Sequence, residues 1–362
     1  MPPGPGFLTS YSTAPAGPLQ NTAFLYGNAL SVVALVGCGN VKDATRIGDA
    51  ILIALNHDRY WHDGRLRNSY AGGHADKPVK LAGWWDKTQN RWVEDQYQVG
   101  SDTGNMAWAM LALLSLDKVG ADARFRAGAL RLAKWVDTQF DGRVPEGFMG
   151  GTFGDQPQPA VNRWKATEHN TDLAAAFTLL AAATGDAHWR RRADAASVFV
   201  LAMWDPACGC FESGTAEDGA TRNTMLALDA QLWPLLAIPA ARTHADTVIK
   251  TAMARMALRG GFAYGGGRSG LWTEGTEQGA LTMKLLGRAK EAQALSAAAE
   301  KNRAPDGGYF AADTTMSTGF DLQTDVRKRR VYYHISALAP LAWAALAQTG
   351  FNPFTGTTAL PR

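Results

Sequence analysis

Cysteine, net charge and long apolar runs are all scarce in this chain of 362 residues. The 36 basic and 33 acidic residues leave a formal net charge of only +3 and form no basic stripe. This balance excludes a nucleic-acid binder that works by neutralising phosphates. No apolar run reaches the roughly 18 to 20 residues that a membrane span needs. The sequence therefore predicts a protein that engages neither nucleic acid nor membrane.

The three cysteines, Cys38, Cys208 and Cys210, have neither CxxC nor metal-ligand spacing. We therefore expect no metal and no other cofactor. Cys208 and Cys210 lie too close in sequence for an easy mutual bridge, so the only disulfide that we consider joins Cys38 to one of them.

The first residues of the chain, MPPGPG, show neither the charged segment nor the apolar segment of a signal peptide. Two interpretations follow. Either a leader has been removed from a secreted or periplasmic protein, which we favour, or the protein is cytoplasmic. We further expect it to be a monomer.

Apolar residues and tryptophan are plentiful. The sequence is 46% hydrophobic and 19% charged, with 38 glycines and 12 tryptophans, which excludes a disordered, collagenous or coiled-coil chain. Length alone would suggest two domains. We find no linker, however, and predict one domain over residues 1–362.

Two kinds of helical segment alternate along the chain. Six segments begin with a polar or glycine-containing head and become almost wholly apolar: 21–36, 101–116, 167–184, 222–238, 274–287 and 331–350. Between them lie amphipathic segments at 41–56, 121–140, 188–204, 241–259 and 288–301. A helix that is apolar all round is buried, whereas an amphipathic helix lies on the surface. The alternation therefore predicts an inner and an outer ring.

Short stretches rich in glycine and aromatic residues recur after the outer segments, at 60–70, 142–153, 208–214, 260–264 and 307–310, and are typical of small hairpins. The cycle predicts an all-α (α/α)6 toroid with short hairpins and loops at one end. Only five outer helices can be found, because Pro353 and Pro361 interrupt the segment where a twelfth helix would lie. An open α-solenoid is the alternative.

The heads of the inner helices would converge on a shared cavity. They carry carboxylates, amides and aromatic rings, which suit the hydroxyls and C–H faces of a sugar. The candidate substrate-binding residues are Tyr26, Asn105, Trp108, His169, Asn170, Gln231, Trp233, Trp272, Glu274, Tyr332, Tyr333 and His334. Trp84, Trp85 and Trp92, which precede one head, could wall the cleft.

Five carboxylates are candidate catalytic groups: Asp102, Glu168, Asp172, Asp229 and Glu277. Asp102 could instead be a helix N-cap. Glu168 and Asp172 share one helix face, and like charges at this spacing can raise a carboxyl pKa. Asp229 would be buried in an apolar helix and needs a partner or a catalytic task. One of Glu274 and Glu277 could be only a cap.

The aromatic and histidine candidates also have structural interpretations. Tyr332, Tyr333 and His334 could be ordinary packing residues of a first helical turn. A lone histidine is more often a neutral packed side chain than a catalyst.

With these rings and the motifs SDTGNMAW (101–108), KATEHNTD (165–172) and LWTEGTEQGA (271–280) in view, the sequence resembles the six-hairpin glycosidase superfamily. The resemblance covers residues 20–350. It implies an (α/α)6 barrel whose cleft hydrolyses glycosidic bonds, usually with inversion. We expect metal-independent hydrolysis of a polysaccharide or oligosaccharide, with Glu168 as general acid and Asp102 as general base, and with Glu277, Asp172 and Asp229 as substitutes.

Other functions are compatible with the same toroid. A polysaccharide lyase acting on a uronate-containing glycan could use Tyr332, Tyr333 and His334 with Arg327, Arg329 and Arg330. A sugar 2-epimerase would need paired histidines, of which few lie at inner heads. A non-catalytic sugar-binding scaffold is favoured if no carboxylate pair faces the cleft.

Overall fold

The structure, a computed structural model, describes residues 4–323 and 325–361. The α-helices of this part of the chain are α1 Leu25–Gly37, α2 Val41–Asn56, α3 Gln96–Val99, α4 Thr103–Lys118, α5 Ala123–Asp137, α6 Thr167–Thr184, α7 Ala187–Ala202, α8 Leu228–Ala237, α9 Ala245–Met256, α10 Thr273–Leu285, α11 Ala289–Glu300 and α12 Leu338–Thr349. A 3₁₀ helix, Pro239–His244, precedes α9. No helix in the described ranges combines the length and apolarity needed to cross a membrane.

Six of these helices form a closed inner ring. The order around the ring is α1, α4, α6, α8, α10 and α12, and α12 packs back against α1. The outer helices α2, α5, α7, α9 and α11 each pack on the inner helix that precedes them. This arrangement confirms the predicted (α/α)6 toroid with five outer helices, and the contact between α12 and α1 excludes the open solenoid.

The predicted start of the last inner helix was wrong. Helix α12 begins at Leu338 rather than near residue 331, because Val331 and Tyr332 belong to a β-strand. The other inner helices lie within a few residues of their predicted bounds or inside them.

Inner and outer helices begin differently. Three outer helices start at a conventional N-cap, where Asn40, Asp122 or Asp186 accepts a hydrogen bond from a backbone N–H of the first turn. Each inner helix follows an extended residue whose side chain makes no capping bond. The inner helices therefore need other partners for their first N–H groups.

A cycle of six backbone hydrogen bonds supplies one such partner for each inner helix. The first N–H of each helix donates to a carbonyl in the segment that leads into the next helix of the ring. The pairs are Leu25 to Asn68, Thr103 to Gly150, Thr167 to Ser213, Leu228 to Tyr264, Thr273 to Ala311 and, closing the cycle, Leu338 to Ser10, at 2.9 to 3.1 Å. Every repeat is thus bonded to its neighbour at the rim of the cavity.

The fourth residue of five inner helices fixes the segment before that same helix. Asn28 pairs with both backbone groups of Leu8, Asn170 with those of Phe148 and Gln231 with those of Phe211. Thr276 and Met106 accept from the N–H groups of Phe262 and Leu66. These side chains point outward from the ring and hold the hairpins onto it.

Short antiparallel strands connect the helices. They are β1 Gly6–Phe7, β2 Thr22–Phe24, β3 Ser69–Ala71, β4 Gly73–His74, β5 Trp84–Asp86, β6 Arg91–Val93, β7 Ser101–Asp102, β8 Phe140–Asp141, β9 Gly147–Phe148, β10 Gly151–Phe153, β11 Ala160–Asn162, β12 Trp204–Asp205, β13 Cys210–Phe211, β14 Gly214–Thr215, β15 Arg222–Asn223, β16 Ala257–Leu258, β17 Gly261–Phe262, β18 Tyr309–Phe310, β19 Met316–Leu322, β20 Asp325–Tyr332 and β21 Ser336–Ala337. All pair in twos except β11, β10 and β7, which form a three-stranded sheet.

Two of these features differ from the sequence prediction. The long hairpin of β19 and β20 lies in a region for which we predicted no strand, because β20 presents a continuous run of exposed residues without the alternation that marks a half-buried strand. Small hairpins follow α5, α7 and α9 as predicted, with strands of two residues each. After α2 and α11 the strands β3 and β18 instead pair with the distant strands β2 and β21.

The C-terminal segment, residues 350–361, forms no sixth outer helix and instead closes the bottom of the ring. Phe354 is buried and packs with Trp108 and Trp233 at ring-centroid distances of 5.5 and 5.8 Å. The Asn352 side chain donates to the carbonyl of Leu236 at the end of α8. Lys118, at the end of α4, donates to the carbonyls of residues 355 and 356.

The predicted disulfide was wrong. Cys208 and Cys210 are bonded to each other, and Cys38 is a free, exposed thiol. The residue between the bonded cysteines, Gly209, has a φ of +67°, and this turn brings their Cα atoms to 5.2 Å. That separation lies within the usual range for disulfides.

The outward amides are expected to be structural, and Asn170→Ala tests this. The substitution leaves the N–H and C=O of buried Phe148 without their side-chain partner. We expect the free energy of unfolding to fall by about 2–4 kcal/mol. Urea denaturation measures the change, with the exposed Gln348→Ala as control, for which a loss above about 0.5 kcal/mol is not expected. Equal stability of Asn170→Ala and wild type would contradict this role.

Candidate active site

The candidate site lies where the N-termini of the inner helices meet, and the second residue of each helix supplies much of it. Successive helical residues are about 100° apart, so the second and fourth residues point about 200° apart. Because the fourth residues point outward, the second residues face the cavity. In α1, α6, α8 and α10 these are Tyr26, Glu168, Asp229 and Glu274.

Glu168 and Asp229, on neighbouring helices, form a carboxyl pair. Burial, followed by the charge of Glu168 and a close side-chain interaction with it, raises the pKa of Asp229 well above its ordinary value. Asp229 is therefore held towards its protonated form. Glu168, whose side chain is 28% exposed, is the member of the pair that is open to the cavity.

Asp172 lies one turn below Glu168 on α6 and is buried. Burial and the charges of Glu168 and Asp229 raise its pKa well above the ordinary value, opposed by a weak interaction with Trp108. The carboxyl atom Oδ1 of Asp172 makes no hydrogen bond to any described residue. The like-charge effect predicted for this helix face thus falls on Asp172, which lies beneath the cavity floor.

Glu274 is held by a chain of hydrogen bonds. Its Oε1 accepts from the Tyr26 hydroxyl at 2.5 Å and from Gln278 Nε2 at 3.3 Å, and Trp343 Nε1 donates to the Tyr26 oxygen at 2.7 Å. Burial raises the pKa of Glu274 to about 7, while the donors Tyr26 and Gln278 act in the opposite direction. Glu274 also raises the pKa of Asp229, which places it in the same electrostatic cluster.

Asp102 occupies the N-cap position of α4 but does not cap it, since its side chain makes no bond to the first turn. Its backbone N–H and the Asn105 amide both donate to Asn68 Oδ1, each at 2.7 Å. Burial raises the pKa of Asp102 to about 7, with a smaller contribution from Glu168, while Asn68, Arg330 and Tyr97 lower it. Asp102 and Asn105 are thus both at the site.

His169 is next to Glu168 in sequence and in space. Its Nε2 lies 3.5 Å from Glu168 Oε1, and its Nδ1 lies 3.2 Å from the Thr103 hydroxyl. Burial lowers the pKa of His169, which favours the neutral ring. The half-buried indole of Trp164 packs on His169 with ring centroids 5.3 Å apart.

The β19–β20 hairpin crosses the mouth of the cavity. Its base is bonded to Ser269 through Ser317, and its far end reaches the opposite wall, where Gln323 donates to Asn162 on β11 at 2.7 Å. Arg330 on β20 lies over the ring of Tyr97, with Cζ 5.8 Å from the centroid. Its charge lowers the pKa values of both Asp102 and Glu274.

Three predicted sugar-stacking rings are instead part of the core. Trp108, Trp233 and Trp272 are 1%, 5% and 2% exposed, so their faces are not available to a ligand. Trp108 and Trp233 pack with Tyr26 and Trp343 at the centre of the ring. Trp272 packs on Tyr264 and Tyr332. The prediction failed because a tryptophan on an inner helix can pack in the core as well as line a cleft, and the sequence does not distinguish the two.

Several polar candidates also lie outside the site. Asn170 and Gln231 hold hairpins, as described above. Glu277 faces the outer helix α11, where Ser296 donates to it at 3.1 Å, so the structure does not bring it to the other carboxyls. His334 is exposed and stacks on Phe310, and Tyr333 is 47% exposed. Of the predicted C-terminal group, Tyr332 is the member that packs in the aromatic wall of the cavity.

Residues that the sequence argument missed complete the cavity. They include Tyr11, Asn68, Tyr97, Trp164 and Tyr264, and Arg330, which we had considered only for a lyase. Most lie in loops or on the long hairpin rather than at helix heads. The repeat of helical segments in the sequence therefore does not indicate them. The described residues contain no cluster of three or more His, Cys, Asp or Glu side chains that could hold a metal ion.

The alternating rings with polar inner N-termini define an (α/α)6 barrel, and comparison with solved structures agrees. Cellobiose 2-epimerase from Bacillus thermoamylovorans matches with a TM-score of 0.64 and 10% identity, covering 96% of this chain and 92% of that one. A glycosidase with one glutamate replaced by alanine, in complex with glucose, matches with a TM-score of 0.61 and 13% identity over the same shares.

A GH76 α-mannanase from Bacteroides thetaiotaomicron matches with a TM-score of 0.57 and 12% identity, covering 93% of this chain and 91% of that one. At these identities the comparisons establish the fold shared with six-hairpin enzymes. No family model matches the sequence, and neither does any curated protein.

The raised pKa of Asp102 predicts a pH-dependent stability. The buried carboxyl of Asp102 resists ionisation in the folded protein, where its pKa is about 7, but ionises near pH 4 in the unfolded chain. The free energy of unfolding is therefore highest below pH 4 and falls as the pH rises to about 7. Asp102→Asn removes the loss, so we expect the variant to gain stability relative to wild type between pH 4 and pH 8 by up to about 4 kcal/mol. Urea denaturation at both pH values tests this, with exposed Asp194→Asn as control. No gain at pH 8 would contradict it.

Proposed function

We propose that this protein is a metal-independent glycoside hydrolase that cleaves a polysaccharide or oligosaccharide with inversion. The observation that carries the proposal is the meeting of Glu168, Asp229 and Glu274 at second positions of three consecutive inner helices. Carboxyls in two protonation states around one cavity are what glycoside hydrolysis requires. The shared fold with a glycosidase and a GH76 mannanase supports the same class.

The electrostatics favour a division of roles that differs from the sequence hypothesis. Glu168 is the exposed member of the pair with Asp229 and can reach a water molecule in the cavity, so we assign it as general base, whereas the sequence hypothesis made it the acid. Glu274, with a pKa raised to about 7, keeps its proton below neutrality and is suited to act as general acid. Asp102, which has a similarly raised pKa, is the competing acid and a poor base.

The reaction then proceeds in one displacement. Glu274 donates its proton to the glycosidic oxygen as the bond to the anomeric carbon breaks. A water molecule attacks that carbon from the opposite face and gives its proton to Glu168. Helices α6 and α10 are separated by α8 in the ring, so Glu168 and Glu274 approach the cavity from different directions. The scheme requires their carboxyl groups to be about 6.5–9.5 Å apart, as in an inverting pair. Proton exchange with solvent restores both groups.

Tyr26 and Asp229 act as positioning residues in this scheme. Tyr26, itself oriented by Trp343, fixes Glu274, and Asp229 fixes Glu168. Asp102, Asn105 and Arg330 line the same cavity and are available to sugar hydroxyls. The exposed guanidinium of Arg330 at the mouth also makes the cluster less negative.

The alternatives receive less support. A 2-epimerase needs two histidines, and within the described residues His169 is the one histidine at the carboxyl cluster. The lyase set is dispersed, since Arg327 and Arg329 are paired with Asp325 and Asp321 and His334 faces away. A purely binding scaffold would not require several acids with raised pKa values around one cavity.

Leaving-group dependence tests the acid assignment. A 2,4-dinitrophenyl leaving group needs no protonation, so we expect Glu274→Gln to lose at least 100-fold in kcat on a natural glycoside and under tenfold on the matching dinitrophenyl glycoside. Glu168→Gln should lose at least 100-fold on both. The alkaline limb of kcat/KM near pH 7 should disappear in Glu274→Gln on the dinitrophenyl substrate.

A panel of polysaccharides and aryl glycosides supplies the substrate for this test, and NMR of the product anomers reports the stereochemistry. If Asp102→Asn shows the leaving-group pattern and Glu274→Gln does not, Asp102 is the acid. Wild-type activity in Glu168→Gln would contradict the assignment of Glu168 and Glu274 as the catalytic pair.

A further inference from the structure

Two tryptophans form an exposed cross-strand pair outside the carboxyl cluster. Trp85 on β5 and Trp92 on β6 are directly opposite each other in an antiparallel register, so both side chains lie on one face of the hairpin. They are 56% and 55% exposed. Most of the other tryptophans of the barrel are packed in its core, whereas this pair leaves a large apolar surface in solvent.

Packing beneath one ring fixes the platform. The indole of Trp92 lies directly against the backbone of Gly83, where a Cβ atom would be 2.6 Å from Nε1 and 2.7 Å from Cε2. One face of the ring is therefore held by the protein while another part remains accessible. A ring that is already ordered loses little conformational entropy when a ligand stacks on it.

A cavity of about 620 Å³ adjoins the same ring. Its walls combine Trp92 and Gly83 with the polar residues Asn21, Arg59, Asp76 and Lys80. This combination of an aromatic face with several hydrogen-bonding groups suits a ligand that has apolar C–H faces and many hydroxyls.

Most of the charges of this wall are compensated. Arg59 makes two hydrogen bonds to the carboxylate of Glu94, at 2.8 and 2.6 Å, and Lys80 pairs with Asp76 at 2.7 Å. Lys77 also lines the cavity, is exposed and makes no ion pair with a described residue. One unpaired cation is far from the cluster of basic groups that an acidic polymer needs, so a neutral glycan is the ligand that we infer.

The platform lies close to the cleft along the chain. Tyr97, whose ring lies under Arg330 in the mouth of the cavity, follows Trp92 by five residues. Five residues span at most about 17 Å, so one extended glycan could reach both places.

We propose that Trp85, Trp92 and the adjoining cavity form an outlying binding subsite for a neutral polysaccharide chain whose cleavage takes place at the carboxyl cluster. The choice of a glycan as ligand rests on the proposed function. The subsite makes contact with the chain beyond the sugar units at the reacting bond and increases affinity for polymers over short saccharides.

Affinity electrophoresis tests binding without turnover. The Glu168→Gln protein is run in native gels containing glucomannan, yeast mannan, xylan or soluble starch. At least one of these neutral polymers should retard it, and Trp85→Ala/Trp92→Ala in the same background should weaken the apparent affinity at least tenfold. Trp85→Phe/Trp92→Phe should keep most of the affinity, because it preserves aromatic faces.

Val198→Ala, at another exposed apolar residue on outer helix α7, is the matched control and should be retarded like its parent. Thermal unfolding checks that each variant folds. Equal retardation of the parent and the Trp85→Ala/Trp92→Ala variant, or no retardation by any of the polymers, would overturn the subsite.

Two further outcomes separate the possibilities. If retardation depends on both tryptophans but wild type hydrolyses none of the polymers or aryl glycosides, the proposed function fails while the subsite stands. If no polymer binds and light scattering shows a dimer that the Trp85→Ala/Trp92→Ala change abolishes, the platform contacts a second copy of the chain and the proposal is wrong.

Discussion

A closed cycle of backbone hydrogen bonds at the rim of the barrel is the constraint on which the site depends. Each inner helix donates its first N–H group to the segment that leads into the next helix, and the last pair returns from Leu338 to Ser10 near the start of the chain. Helix N-termini normally rely on their own capping side chain. Here the neighbouring repeat provides the partner, so the inner helices are held at one level and their first turns surround one cavity.

The geometry of the helix then sorts side chains into two sets. Second residues face the cavity and fourth residues face outward, because they are about 200° apart. The outward set contains amides that hold hairpins, such as Asn170 and Gln231, and the inward set contains Tyr26, Glu168, Asp229 and Glu274. In the polar first turn of an inner helix, a residue that faces the site and a residue that holds a hairpin are therefore only two positions apart.

Burial gives the inward acids their chemical differences. Asp172 lies beneath the floor, Asp229 has a pKa raised by burial and by the charge of Glu168, and Glu274 is stabilised by donors that partly offset its desolvation. Enclosing so many acids costs free energy that ordinary core packing must offset. The aromatic centre formed by Trp108, Trp233, Trp343 and Phe354 provides such packing immediately below the site. The tryptophan content thus stabilises the barrel that carries the acids.

The sequence by itself determined the alternation of helices, the five outer members and the carboxylates at the heads, because these follow from local periodicity and composition. It predicted Asp229 as a buried acid that needs a partner, and the partner is Glu168. Tertiary structure alone decided which head residues face inward, which tryptophans are buried, and that Cys208 bonds Cys210 across a glycine turn. It also brought Arg330 on a long hairpin across the mouth. Apart from the disulfide, whose cysteines are two residues apart, these outcomes depend on contacts between residues far apart in sequence. A helical period contains no information about any of them.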